Sequence, residues 1–223
     1  MLKRIGVMGG TFDPVHIGHL RMAEEALEAF GFDELLFIPA ADPPHKTEKS
    51  LRAFEHRLRM LELAVDAHPK FRVSDLEGRL PGKSYTVITL GRLQEEYGPE
   101  AELYFLVGLD AFVELDTWWN YRELFERARM VVLSRPGYEE EDVGLFLARK
   151  VSPFYEMDRN CTSFTHPTLL PVHCMKNTHL EISSTLIRRL SSQGRSIRYL
   201  VLPEVLRYIE KNKLYRGLSN PVQ

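Results

Sequence analysis

The feature that most constrains this chain is the run Gly9-Gly10-Thr11-Phe12-Asp13-Pro14-Val15-His16-Ile17-Gly18-His19, which joins a strand pattern to a helix pattern. Residues 2–8 carry enough apolar and β-favouring side chains for a first strand, and residues 20–27 repeat at helical spacing. A strand-loop-helix junction of this kind is an anion site by construction. The two glycines let a ligand approach the main chain, and the helix start offers unpaired N–H groups and the positive end of its dipole. His16 and His19, three apart, face one side of that helix, and Gly18 between them removes bulk. Imidazoles so placed can donate to phosphate oxygens and to the charge that builds on them in a transition state. The loop carries neither G-x-G-x-x-G nor G-x-x-x-x-G-K-[ST], so it is neither a dinucleotide fingerprint nor a P-loop.

The chain of 223 residues is long enough to bury one substantial core, and 29 basic against 31 acidic residues give a net charge of -2. That balance shows no bias toward nucleic acid or membrane. No apolar run has the length of a membrane span and no secretory pattern opens the chain, so a cytoplasmic protein is expected. Two cysteines, Cys161 and Cys174, do not make a disulfide scaffold.

Further strands are expected at 34–39, 71–74, 102–107 and 130–133, with an amphipathic helix over 52–67 carrying Phe54, Leu58, Leu61 and Val65. Strand, helix, strand implies a right-handed crossover and a parallel sheet. Ligands in such sheets sit beyond the carboxyl ends of the strands, where the sequence sets Ala40-Ala41-Asp42-Pro43-Pro44-His45-Lys46, Gly108-Leu109-Asp110 and Ser134-Arg135-Pro136-Gly137. Thr86 is expected to cap a helix running on from Val87. Of the adjacent Trp118 and Trp119, only one can pack inward, which leaves the other for stacking. A surface helix is read over 139–150.

The stretch 151–179 holds Cys161, His166, His173, Cys174 and His179, but no C-x-x-C or H-x-x-H pair, and is read as a loop or hairpin extension with 169–173 as a strand. A short strand over 180–182 then enters Ser183-Ser184-Thr185, a capped helix start with Arg188 about one turn on, which is a second anion cradle. Pro203 opens a last helix over 204–213.

His16-Ile17-Gly18-His19 matches the H-x-G-H signature of a nucleotidyltransferase superfamily. The longer Gly-Gly-Thr-Phe-Asp-Pro-x-His-x-Gly-His run resembles its bacterial nicotinate mononucleotide adenylyltransferases. Ser84-Tyr85-Thr86, Leu115 with Trp118, Arg135-Pro136-Gly137, Ile182-Ser183-Ser184-Thr185 with Arg188, and the C-terminal part are similar to that family as well. The resemblance is continuous to about residue 150 and loosens between Val151 and His179.

It implies one Rossmann-like α/β domain over 1–223, doubly wound on a mainly parallel sheet, with an insertion at about 151–179 and a small helical C-terminal part from about 184. The implied reaction is adenylyl transfer from ATP to nicotinate mononucleotide, with Mg2+ accompanying ATP and no metal ligand from protein side chains. His16, His19, Lys46 and Arg188 would stabilise transition-state charge. Gly9, Gly10, Thr11, Phe12, Asp110, Ile182, Ser183, Ser184 and Thr185 would complete the ATP site. His45, Lys46, Thr86, Val87, Trp118, Trp119 and Arg135 would bind the nicotinate nucleotide. A homo-oligomer is left open, and neither nucleic acid nor membrane is expected as a partner. The competing readings are a nicotinamide or phosphopantetheine adenylyltransferase, a nicotinamide-dependent oxidoreductase and a non-catalytic nucleotide sensor.

Overall fold

A computed structural model describes residues 2–43, 51–137, 139–160 and 162–216. Eight strands form one sheet in the order β3-β2-β1-β4-β5-β8-β7-β6. These are β1 (Lys3–Gly10), β2 (Glu34–Pro39), β3 (Phe71–Val73), β4 (Ala101–Gly108), β5 (Arg129–Leu133), β6 (Glu156–Met157), β7 (Ser163–Thr165) and β8 (Val172–Met175). The first six in sheet order, β3 to β8, pair in parallel, while β7 and β6 pair antiparallel at the edge. The expected doubly wound sheet is therefore present.

β1, at the centre, alternates between two cores. Ile5 and Val7 pack on one face with Leu36, Leu103, Phe105 and Leu90, and Met8 packs on the other with Phe37, Leu106 and Ala23. Burial on both faces is what the near-continuous apolar runs of β2, β4 and β5 require. Helices α1 (Ile17–Phe30), α2 (Phe54–Val65), α8 (Ser184–Ser192) and α9 (Pro203–Lys211) supply apolar residues to the Met8 face. α4 (Thr86–Tyr97) and α7 (Glu140–Phe146) cover the Ile5 face. Short helices α3 (Leu76–Arg79), α5 (Leu109–Phe112) and α6 (Leu124–Arg127) fill the connections.

The chain order reverses between β1 and β4, which pair Lys3 with Ala101 through Met8 with Leu106. Neighbouring strands whose connections leave in opposite directions open a crevice at their carboxyl ends. The two glycines that close β1 lie in that crevice.

Three expectations change. The 151–179 stretch contributes a parallel strand, β8, to the main sheet, because Val172 is fully buried against β5, and only β6 and β7 form the hairpin extension. The strand there is 172–175 and not 169–173, since Pro171 sits before the paired segment. Residues 180–182 form no strand. Among the described residues no strand pairs with them, and the Ile182 N–H turns back to the Leu180 carbonyl at 2.7 Å. The helix read over 139–150 is present as α7 continued directly by a π-helical stretch, Leu147–Val151. Among the described residues, no helix is long and apolar enough to cross a membrane.

Candidate active site

The signature loop leaves β1 through a left-handed Phe12, φ +48°, and its ring folds beneath the loop into the core at 3% exposure. A Cβ on Gly10 would stand 2.9 Å from that ring, so the glycine is what lets the loop close over Phe12. With the ring buried, Phe12 has only its main chain to offer a ligand.

His16 precedes α1 in extended conformation, and its N–H donates to His19 Nδ1 at 3.3 Å. That bond fixes the neutral His19 tautomer with its proton on Nε2. The two rings stack at 3.6 Å, and a Cβ on Gly18 would come within 3.1 Å of His16 Nδ1, so Gly18 makes room for the pair. Burial, with the positive charge of Arg135 behind it, lowers the His16 pKa to about 4. His19 is also held well below 6.5 by burial, then by His16 and Arg135. At neutral pH both rings are uncharged donors, and His16 Nδ1 is buried without a hydrogen-bond partner among the described residues.

The second cradle meets the first. The Ser184 hydroxyl donates to the Pro14 carbonyl at 2.9 Å across 170 residues of sequence, and Arg188 Nη1 donates to the Asp13 carbonyl at 2.8 Å. Ser183 caps α8 by accepting the Leu186 N–H at 3.1 Å, and Arg188 Nη2 donates to Thr185 Oγ1 at 3.1 Å. The Ile17 N–H adds a bond to the Leu200 carbonyl at 3.0 Å. The approach to α8 is tied to α1 by the Thr178 N–H and hydroxyl, both donating to Glu25.

Beside Gly9, Gly10 and Thr11 opens a cavity of about 490 Å³ whose walls include Ser84, Thr86, Val87, Phe105, Trp118 and Trp119. Trp118 stands edge-on to Phe105 at 6.4 Å, and Trp119, half exposed, tilts against Tyr85 at 5.0 Å. Both tryptophans thus reach the cavity, because the irregular turn carrying them removes the alternation that would send one away. Thr86 is not the cap: α4 begins at Thr86 with Tyr85 before it, and no side-chain cap bond forms. As the first helical residue, Thr86 still brings its hydroxyl and the amide of Val87 to the cavity wall.

Asp110 and Arg135 pair at 3.4 Å over Gly108, where a Cβ would collide with the Asp110 carboxylate and crowd Arg135. Arg135 does not line the cavity of Thr86 and Trp118. It lines a second recess of about 360 Å³ with Ser134, Asn177 and His179, and its charge bears on the two histidines. His45 and Lys46 lie outside the described residues. Among the described residues no group of three or more His, Cys, Asp or Glu could hold a metal ion.

Three residues of this neighbourhood escape the sequence reading. Arg57, 1% exposed, donates Nη1 to the carbonyls of Thr11 at 2.8 Å and Ala40 at 2.7 Å, locking the ends of β1 and β2 together. Its signal is an arginine lying in the buried stripe of α2 with Met60, Leu61 and Val65. Glu77 borders the cavity and accepts the Thr89 hydroxyl at 2.6 Å, its pKa raised by burial. Tyr215, wholly buried, donates to Asp13 Oδ1 at 2.6 Å across 202 residues, and no local pattern could announce it.

A family model described as Cytidylyltransferase-like matches residues 7–190. Relatives bearing the name "Probable nicotinate-nucleotide adenylyltransferase" include one from Pelobacter propionicus, 42% identical over 212 residues, covering 95% of this chain and 98% of its own. Another from Geobacter sulfurreducens is 41% identical over 215 residues at the same coverage. Among solved structures, Plasmodium falciparum nicotinic acid mononucleotide adenylyltransferase complexed with NaAD aligns at TM-score 0.73 and 19% identity, covering 96% of this chain and 97% of that one. Its complex with APC aligns at 0.72. This structural likeness bears on the fold.

Proposed function

The chain belongs to the nicotinate-nucleotide adenylyltransferase family, and from that premise we propose how its crevice transfers the adenylyl group. ATP and nicotinate mononucleotide give nicotinic acid adenine dinucleotide and pyrophosphate. An oxygen of the nicotinate nucleotide's 5′-phosphate attacks the α-phosphorus in line, the bond to the β-phosphate breaks, and pyrophosphate leaves. Phosphate monoesters have a second pKa of about 6, so the nucleophile is mostly dianionic at neutral pH and no side-chain base is needed. Positioning and charge stabilisation then carry the rate.

The observation that supports this most is the joining of the two cradles by Ser184 with Pro14 and Arg188 with Asp13. One triphosphate could then touch the main chain of residues 9–12, the His16 and His19 donors, the Ser183–Thr185 turn beside Ile182, and Arg188. A phosphate arriving beside the stacked imidazoles raises their proton affinity, so the neutral rings can become charged as negative charge develops. Lys46 would add a cation from the 40–46 loop. Asp110 is offered to the ribose of ATP, and Arg135, paired with it and close to the histidines, suits the ATP side better than the pyridine side. The Thr86 hydroxyl and Val87 amide would select a carboxylate over an amide, with Trp118 and Trp119 flanking the ring and His45 near the phosphate.

Mg2+ enters with ATP on phosphate oxygens and water, as its reluctance to dehydrate favours. Among the described residues, Asp13 bonds to Tyr215 and to the Arg52 N–H, and Asp110 to Arg135, so neither carboxylate is proposed as a ligand for it. We assign the reaction to the cytoplasm. Pyrophosphate release, measured with ATP and either nicotinate mononucleotide, nicotinamide mononucleotide or phosphopantetheine, tests the reading. The nicotinate substrate should have the highest kcat/KM; preference for either of the others, or no release with any, would overturn it.

A further inference from the structure

We propose that Tyr215 is a positioning residue for adenylyl transfer, acting through Asp13 to hold Arg188 at the phosphates; this rests on the active-site reading given above. Beyond α9 the backbone takes left-handed conformations at Lys213, φ +51°, and Tyr215, φ +64°, which side-chain-bearing residues adopt at a cost and which persist where surroundings enforce them. The enforcement here is full burial of the ring together with the 2.6 Å bond from its hydroxyl to Asp13 Oδ1. The other Asp13 oxygen accepts the Arg52 N–H at 3.2 Å, and the Arg52 guanidinium lies over the Tyr215 ring at 5.4 Å.

Asp13 is therefore held at both carboxylate oxygens, and its carbonyl is the acceptor for Arg188 Nη1 at 2.8 Å. A guanidinium tethered before substrate binds needs no reorganisation when charge appears on the phosphorus. A buried tyrosine always seeks a partner for its hydroxyl. This one finds it inside the signature loop, one residue from the carbonyl that Ser184 engages.

Tyr215→Phe keeps the ring and removes the donor, so kcat should fall about tenfold, as expected for losing a bond to a charged group, with KM for nicotinate mononucleotide unchanged. Arg188→Gln should lose more, and the double variant should lose no more than Arg188→Gln alone. Tyr208→Phe, which cuts only the 2.9 Å contact to His56 between α9 and α2, should keep the parental kcat and separates positioning from general loosening. If Tyr215→Phe does not fold, Asp13→Ala, which removes the acceptor and keeps the Tyr215 ring, should show the same fall in kcat and the same lack of further loss with Arg188→Gln. Parental turnover in Tyr215→Phe, or losses that multiply with Arg188→Gln, would overturn the inference. Parental turnover in Arg188→Gln would instead overturn the active-site reading beneath it.

Discussion

Replacing His16 by Gln should make the protein more resistant to acid, by an amount that follows from how the ring is buried. The native pKa is about 4 against 6.5 for a free imidazole. Above pH 6.5 neither the folded nor the unfolded chain binds a proton at this site, and the residue adds no pH dependence. Below 6.5 the unfolded chain takes up the proton while the folded one does not, so stability falls by about 1.4 kcal/mol per pH unit until the native pKa is reached. By pH 5 the accumulated loss is about 2 kcal/mol. His16→Gln removes it, and His19, present in both proteins, cancels to first order. Urea unfolding at pH 7.5 and pH 5 should show the variant gaining about 2 kcal/mol on the parent between the two conditions. Equal pH slopes would refute the account of His16 as a buried, uncharged donor.

Other expectations concern the remaining parts of the crevice. His19→Ala should cut turnover by orders of magnitude with an unaltered far-UV circular dichroism spectrum; an unchanged rate would remove His19 from the chemistry. Thr86→Val, which deletes the hydroxyl at the cavity wall, should raise KM for nicotinate mononucleotide several-fold and leave KM for ATP alone, as steady-state kinetics with each substrate varied would show. Arg57→Met should lower stability by about 3 kcal/mol because the Thr11 and Ala40 carbonyls lose their buried donor, and an unchanged denaturation midpoint would contradict the clamp.

Strand-forming runs whose side chains are buried on both faces could be read directly, as at 34–39, where β2 occupies the same residues. The two cradles were legible for a related reason: each is a local pattern, glycines then histidines in one case and hydroxyl residues before a helix in the other. Their meeting was an inference, and the bonds from Ser184 and Arg188 supply what sequence spacing cannot. Thr86 shows the limit of cap rules. Hydroxyl chemistry favours the cap position, but the backbone turns helical at Thr86 itself and leaves its side chain to the cavity. The 169–173 strand slipped because apolarity marks burial and not pairing, and Pro171 can only precede the paired residues. Arg57 and Tyr215 stayed hidden because each is defined by a partner far off in the chain.

The loop after β1 is anchored by residues 52, 57, 184, 188, 200 and 215. On the ribosome, the first strand and its glycines emerge well before four of these six tethers, which lie at residues 184, 188, 200 and 215. A nascent chain can therefore assemble the central strands while its nucleotide cleft is still unfinished. The loop gains its full set of tethers only once residues 184–215 have packed against it.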